Sequence, residues 1–446
     1  MLRQLLPEDG LRLANEYDEL QREALAHMCE KRTISDVEIA WARLPTGEGG
    51  LGMTDPVAMV KPAFVACYIA TLATTALSYP EVMTDIAKKT ADSSHRCTSP
   101  AVEALFEAVA VISKETPHVT MNLLLEWSRT DKVTKLQKKL MAGADRVAAK
   151  STLAKIALDA QAETIRLSCK GNQASAWLYA QVRGATKMTS AQFANSLRNR
   201  LAMDNPAIKR GMHCACTRKE PIDKRGIHLI KCKLCHSMTV RTHDQIKLVI
   251  ASLCKAAGED AKIEQTDLFQ QVDPTKKLRA DIVLISGSGT TVLDVRHSHP
   301  VDIECERGNR VRIPKEREMA DRIEREKQLK YEGKCKQAGL AFRVCALETG
   351  GKWGGQLSTL VKMLVKKQAK GCDTPFSTLL NYWTQMISVA LQKNVANAQL
   401  TRLSKLAAIN YLEREEDPYG EDIQAYAQWS AGEGHDADVD DEEYGP

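Results

Sequence analysis

Four residues able to bind a soft metal stand within nineteen positions: Cys214, Cys216, His228 and Cys232, in the order C-x-C-x11-H-x3-C. Zinc takes four sulfur or nitrogen ligands in a tetrahedron, commonly as two close pairs brought together by an intervening loop. This spacing supplies such pairs, so the stretch around it folds as a small metal-dependent knuckle. Cys235 forms a second pair with Cys232 and leaves the fourth ligand open between them, and His213 and His236 are further candidates. Four protein ligands leave no position for water, so the expected role is structural. The chain holds thirteen cysteines, and Met1-Leu2-Arg3-Gln4 runs into polar sequence without a secretory leader. Reduced thiols, and hence a nuclear or cytoplasmic rather than secreted location, are the expectation.

Charge is distributed unevenly around that knuckle. Residues 206–370 carry 33 Lys and Arg against 20 Asp and Glu, whereas 431–446 carry seven acids and no Lys or Arg. A basic middle points to a polyanion as partner, and the acidic tail is expected to be disordered. An apolar run over 63–79 is interrupted by Thr71, Thr74, Thr75 and Ser78, and reads as a buried bundle helix with no membrane partner.

Apolar residues recur at helical spacing over 11–31, 101–114, 123–141 and 144–167, so residues 1–205 are expected to form a helical bundle. Four glycines between Gly47 and Gly52 make that segment a loop. No internal repeat is present. Beyond Gly258 the pattern turns to strands. The runs 282–285 and 291–295 are β-rich and joined by Ser286-Gly287-Ser288-Gly289 as a hairpin. A charged helix over 314–338, a strand over 341–347, a Gly-rich turn and helices over 356–415 follow. The hairpin carries the second cluster. Asp281 and Asp294 stand on its two arms, and folding it brings their carboxylates to one sheet edge. Paired carboxylates hold Mg²⁺ or Mn²⁺ through oxygen, and such ions promote phosphodiester hydrolysis. Glu264 is a candidate third acid. Arg296, two residues after Asp294, or Lys327 on the following helix would supply positive charge. Lys327 and Tyr331, at i and i+4, share a helix face, with Lys330 beside them.

Taken in order, these motifs resemble the C-terminal region of site-specific non-LTR retrotransposon proteins. Leu44-Pro45 with Gly49-Gly50-Leu51-Gly52-Met53 resembles the segment that follows the polymerase there. Ala176-Trp177-Leu178 and the stretch from Phe193 to Leu201 resemble the approach to the knuckle. Cys214, Cys216, Gly226-Ile227-His228 and Cys232 match the knuckle itself. Arg241-Thr242-His243-Asp244 resembles an Arg-His-Asp/Asn step with one residue inserted. Arg279-Ala280-Asp281, twelve residues and Asp294 resemble the Lys/Arg-Pro-Asp…Asp active site, with Ala280 for the usual Pro. Lys327, Lys330 and Tyr331 match a Lys-x-x-Lys-Tyr helix, and Leu347 to Gly351 match the segment beyond.

The resemblance implies an α+β protein. A helical region spans 1–205, a zinc knuckle 206–240 and a restriction-endonuclease-like PD-(D/E)XK core 241–370. C-terminal helices (371–430) and the acidic tail (431–446) complete it. The resemblance further implies a metal-dependent DNA endonuclease that nicks its target. Asp281, Asp294, Glu264, Arg296 and Lys327 would be catalytic. Arg241, His243, Lys330 and Tyr331 would contact DNA or element RNA. No Tyr-x-Asp-Asp polymerase motif is present. The chain therefore reads as the post-polymerase part of such an element, whether truncated, fragmentary or domesticated. A non-catalytic nucleic-acid-binding protein, or an inactive remnant, is the alternative.

Overall fold

The computed structural model describes residues 5–412 except 131–133, 218, 233–235, 270, 271, 273–277, 288, 303–312 and 314. Cys235, Pro314, the expected helix end near 415 and the acidic tail lie outside the described residues.

The N-terminal half is helical: α1 (Pro7–Met28), α2 (Asp36–Arg43), α3 (Pro56–Ser78), α4 (Pro80–Ala91), α5 (Pro100–Glu115), α6 (Met121–Ser128), α7 (Leu136–Ile156), α8 (Ala160–Ser168), α9 (Asn172–Ser175) and α10 (Ser190–Arg200). Two of the expected helices are corrected. The run 123–141 is broken: α6 ends in a turn where Arg129 and Thr130 donate back to Glu126 and Trp127, and α7 starts only at Leu136, after Lys135 in the left-handed region. The run 144–167 is interrupted at Asp159, whose carboxylate accepts the amide N–H of Gln161 and Ala162 and starts α8. A short acidic side chain that caps a new helix competes with continuing the old one. One core joins Phe64, Leu105, Leu124 and Leu140 across α3, α5, α6 and α7. Residues Pro56–Thr75 are long and apolar enough to cross a membrane, with 44% of that window buried inside the protein.

The loop before α3 is held from several sides. Arg200, buried, donates to the carbonyls of Gly50 (3.1 Å), Ala174 (3.0 Å) and Thr46 (2.9 Å), and Trp41 Nε1 donates to Gly49 O (3.1 Å). A Cβ at Gly50 would lie 2.1 Å from Leu44 O, so only glycine fits there.

The second half is a four-stranded mixed sheet with helices on both faces. Its elements are α11 (Ile227–Lys231), α12 (His236–Ala256), β1 (Asp260–Gln265), β2 (Ala280–Ser286), β3 (Gly289–Ser298), α13 (Glu318–Gln337), β4 (Ala341–Glu348), α14 (Gly355–Lys370) and α15 (Phe376–Leu412). The strand order is β1-β2-β3-β4. The first two pairings are antiparallel, and α13 carries the chain across to a parallel β4. Side chains alternate by strand period. Leu293, Val295, Cys345 and Leu347 join Ile246, Ile250, Leu357 and Ile387 in one core, while Val344 and Ala346 pack on Ala320 and Ile323 of α13.

Helix α15 is the spine of the molecule. Its polar seam reaches every neighbour: Gln192 donates to Asn397 (2.8 Å), Asn195 to Gln399 (2.6 Å), and Gln392 to Thr349 O (2.9 Å). Arg402 is fully buried. It donates to Leu229 O (2.5 Å) and Ile230 O (3.1 Å) at the end of α11, and to Thr239 Oγ1 (2.9 Å) in the first turn of α12. The last carbonyls of α11, which no turn of helix would satisfy, are thereby paired.

Candidate functional site: a Cys/His centre beside a carboxylate row

The knuckle begins as a narrow two-armed loop. Cys214 N donates to Glu220 O (2.9 Å) and Ile222 N to Met212 O (2.9 Å), while Lys219 turns back on Cys216 O. Asp223 then starts α11: its two oxygens accept the N–H groups of Arg225, Ile227 and His228. The ligand atoms of Cys214, Cys216, His228 and Cys232 all lie within 4.8 Å of one another. Cys214 Sγ is 3.5 Å from Cys232 Sγ, and Cys216 Sγ is 3.8 Å from His228 Nε2. A tetrahedral zinc with bonds of about 2.0–2.3 Å has edges of about 3.4–3.8 Å, so the cluster could hold such a metal with little movement. His228 Nδ1 lies 2.8 Å from Glu220 Oε2, which orients the ring and leaves Nε2 toward the cluster. Burial pushes the Cys214 thiol up to about 12, so a metal must displace its proton. His213 is outside the cluster, on Gly211 O.

Beside this centre, the strand register lines up three acids. Ile282 pairs with Leu293, so one further step sets Asp281 opposite Asp294. On the other side, Ile263 pairs with Ile282 and Gln265 with Ala280, which sets Glu264 opposite Asp281. Glu264 has φ +57°, a left-handed backbone inside a strand, of the kind that persists where surrounding contacts enforce it.

Each acid meets a cation from a neighbouring element. Asp281 Oδ2 accepts the Val295 N–H (2.7 Å) and His243 Nε2 (3.2 Å). His243 Nδ1 faces Asp244 Oδ1 (3.1 Å), so both ring nitrogens point at carboxylates and both act as donors, as in the imidazolium. Burial opposes that charge, but Asp281 and Asp244 overcome it and raise the His243 pKa. Burial likewise opposes the Asp281 charge, yet His243 and the Val295 N–H hold its carboxyl below the usual range. Asp294 differs. Lys327 Nζ donates to its Oδ1 (2.9 Å), but burial dominates and its pKa is raised. Asp294 Oδ2 is buried with no hydrogen-bond partner among the described residues. Glu264 pairs with the buried Lys247, and Arg279 Nε lies 2.5 Å from its Oε2.

Lys327 Nζ also lies 5.2 Å from the Tyr331 ring centre, with the exposed Lys330 at 5.0 Å and Phe342 packed against the same ring. Arg241 is exposed on α12, and Arg296 is exposed at the far end of β3. Asp244 belongs to the Arg-His-Asp/Asn step read from the sequence, whereas Lys247 was missed; its i, i+4 spacing from His243 on α12 was the available signal.

Two predictions follow from this geometry. The full chain should carry about one zinc, and Cys214→Ser should lose it together with a lowered melting temperature; zinc analysis showing none in wild type would contradict this. The His243–Asp281 pair stabilises the fold over a defined range. The histidine part is complete below its unfolded pKa of about 6.5 and is lost as pH rises through its raised folded value. The aspartate part is present above about 3.9 and is lost as pH falls through its lowered folded value. In an NMR titration, Asp281→Asn should lower the His243 midpoint, and an unchanged midpoint would contradict the pairing. No protein-family model and no curated protein matches this chain, so the chemistry of both sites rests on their own residues.

Proposed function

We propose that the chain is the post-polymerase region of a non-LTR retrotransposon-type protein and acts as a metal-dependent DNA endonuclease that nicks its target. The single observation that carries this reading is the row Glu264, Asp281, Asp294 across three adjacent strands, with Lys327 on Asp294. The order helix, three-stranded antiparallel meander, crossover helix, parallel strand supports a restriction-endonuclease-like core over 241–370. The ordered series of motifs supports the ancestry. DNA is the proposed partner, with element RNA as a further one, in the nucleus or cytoplasm. The zinc knuckle helps dock the nucleic acid.

The donor set suits a hard cation: the three acids offer only oxygen, and Asp294 Oδ2 is a buried oxygen without a hydrogen-bond partner among the described residues. Magnesium or manganese bound there would activate a water and stabilise the leaving oxygen of a phosphodiester. The protein's own part is positioning and charge. His243 and Val295 N–H fix Asp281, and Glu264 flanks it as a third carboxylate. Lys327, supported by the Tyr331 ring, neutralises charge developing on the phosphate. Arg296 stands where many such nucleases have lysine. It keeps its proton and serves as a fixed positive charge for a phosphate.

One observation favours a second reading. Every acid of the row is already paired with a cation, as in a closed structural network, which would leave a non-catalytic nucleic-acid-binding protein. Nicking of supercoiled plasmid separates the two. With Mg²⁺ or Mn²⁺, wild type should nick, Asp281→Ala and Asp294→Ala should not, and Lys327→Ala should be slower by about 10²–10³-fold. Absence of nicking by zinc-loaded wild type, or nicking that survives both aspartate substitutions, would sink the catalytic reading.

A further inference from the structure

Between α11, which carries His228, and the end of β3 lies a cleft of about 320 Å³, of whose lining residues the catalytic scheme uses only His243 and Arg296. Its walls come from three elements. Lys231 enters from α11, Asp244 from α12, and Arg296, His297 and Ser298 from β3, with Arg279 just before β2. Three basic side chains, Lys231, Arg279 and Arg296, therefore line one small space, with Arg279 also ion-paired to Glu264. The one carboxylate among these residues, Asp244, is committed to His243 and Lys247. The Nδ1 atom of His297 is buried and has no hydrogen-bond partner among the described residues. A buried polar atom without a partner in a cation-lined cleft is a place for a polar ligand.

The charge and size of the cleft define the ligand. Three cations fit an anion that repeats along a chain, such as successive backbone phosphates. The volume is at the lower end of sites for single small ligands, on the order of 300–1,000 Å³. It accommodates about one nucleotide unit and not a duplex. The position matters as well. Lys231 stands between the ligands His228 and Cys232, and Arg402 fixes the adjoining Ile230 carbonyl, so the zinc centre holds one wall in place. His243 and Arg279, which pair with Asp281 and Glu264, also line the cleft, so it adjoins the carboxylate row.

We propose that this cleft seats one nucleotide of single-stranded DNA beside the carboxylate row, with Lys231, Arg279 and Arg296 on the phosphates that flank it. The placement next to a scissile phosphate rests on the nuclease reading; the binding itself does not. The knuckle then contributes a side chain to the substrate path in addition to its structural role. Cutting would act on a strand separated from its complement at this point.

The test is fluorescence anisotropy with a short fluorescein-labelled single-stranded DNA, its duplex and the RNA of the same sequence, over a salt series without added divalent metal. The proteins are zinc-loaded full-length wild type, Lys231→Ala, Arg296→Ala, the double variant, and Lys88→Ala, an exposed lysine on α4. Each cleft substitution should weaken single-strand binding and reduce the salt slope by about 0.7, and the double variant by about 1.4. Lys88→Ala should leave the slope at the wild-type value, and Lys231→Arg with Arg296→Lys should restore it, which separates lost charge from misfolding. An unchanged slope in the double variant, a slope lost only with duplex, or tenfold preference for RNA would overturn the proposal. Plasmid nicking measured on the same samples keeps the two readings apart. Slope loss without wild-type nicking overturns the nuclease and retains the cleft; nicking with an unaltered slope overturns the cleft alone.

Discussion

Three carboxylates drawn out of water along one row of a sheet would repel one another, and removing each from water costs several kcal/mol. The structure tolerates the row because every acid is met by a cation or an N–H from a neighbouring element. Lys247 and His243 descend from α12, Lys327 crosses from α13, Arg279 precedes β2, and the Val295 N–H comes from β3 itself. The two helices that flank the sheet therefore do more than cover its apolar faces. Their polar residues set the direction in which each carboxyl shifts. His243 and the Val295 N–H hold Asp281 below the usual carboxylate range, whereas burial outweighs Lys327 and raises Asp294, whose Oδ2 has no hydrogen-bond partner among the described residues. A divalent cation bound between Asp281 and Asp294 would add positive charge beside that of Lys327.

The same α12 ties the row to the Cys/His centre. Arg402 on α15 binds the last carbonyls of α11 and the first turn of α12 at once. Removing such a buried donor leaves carbonyls unpaired, at a cost of about 1–3 kcal/mol for each. Helix α15 also takes up polar groups of α10 and the carbonyl of Thr349 beyond β4. The end of α11 beside the Cys/His cluster, the helix carrying His243 and the segment beyond β4 are therefore all held by polar side chains of α15. A disturbance at the knuckle is transmitted to α12 through packing and these bonds.

Local patterns in the sequence revealed the parts of this arrangement that depend on neighbours in the chain. The spacing of Cys214, Cys216, His228 and Cys232 anticipated a cluster whose ligand atoms do converge. The hairpin around Ser286–Gly289 was legible from its β-branched arms and glycines, and with it the juxtaposition of Asp281 and Asp294. Lys327 was read from the sequence as a cation for that site and does meet Asp294, but the pairing of Lys247 with Glu264 was not legible, because the two meet only after α12 packs on the sheet. The role of α15 was hidden for the same reason: Gln392, Gln399 and Arg402 look like ordinary polar positions of a surface helix, yet all three are buried. The helix ends at Ser128 and Ile156 were missed because apolar periodicity continues across them, while a single capping residue such as Asp159 decides the boundary.

As proposed, the buried oxygen of Asp294 and the carboxylate of Asp281 would together hold a divalent cation. Electron paramagnetic resonance of Mn²⁺ added to the zinc-loaded full chain tests it directly, independently of any substrate. Wild type should bind at least one Mn²⁺ that excess Mg²⁺ displaces, and Asp294→Asn should bind one fewer. No bound Mn²⁺ in wild type, or the same number in wild type, Asp281→Asn and Asp294→Asn, would contradict the account.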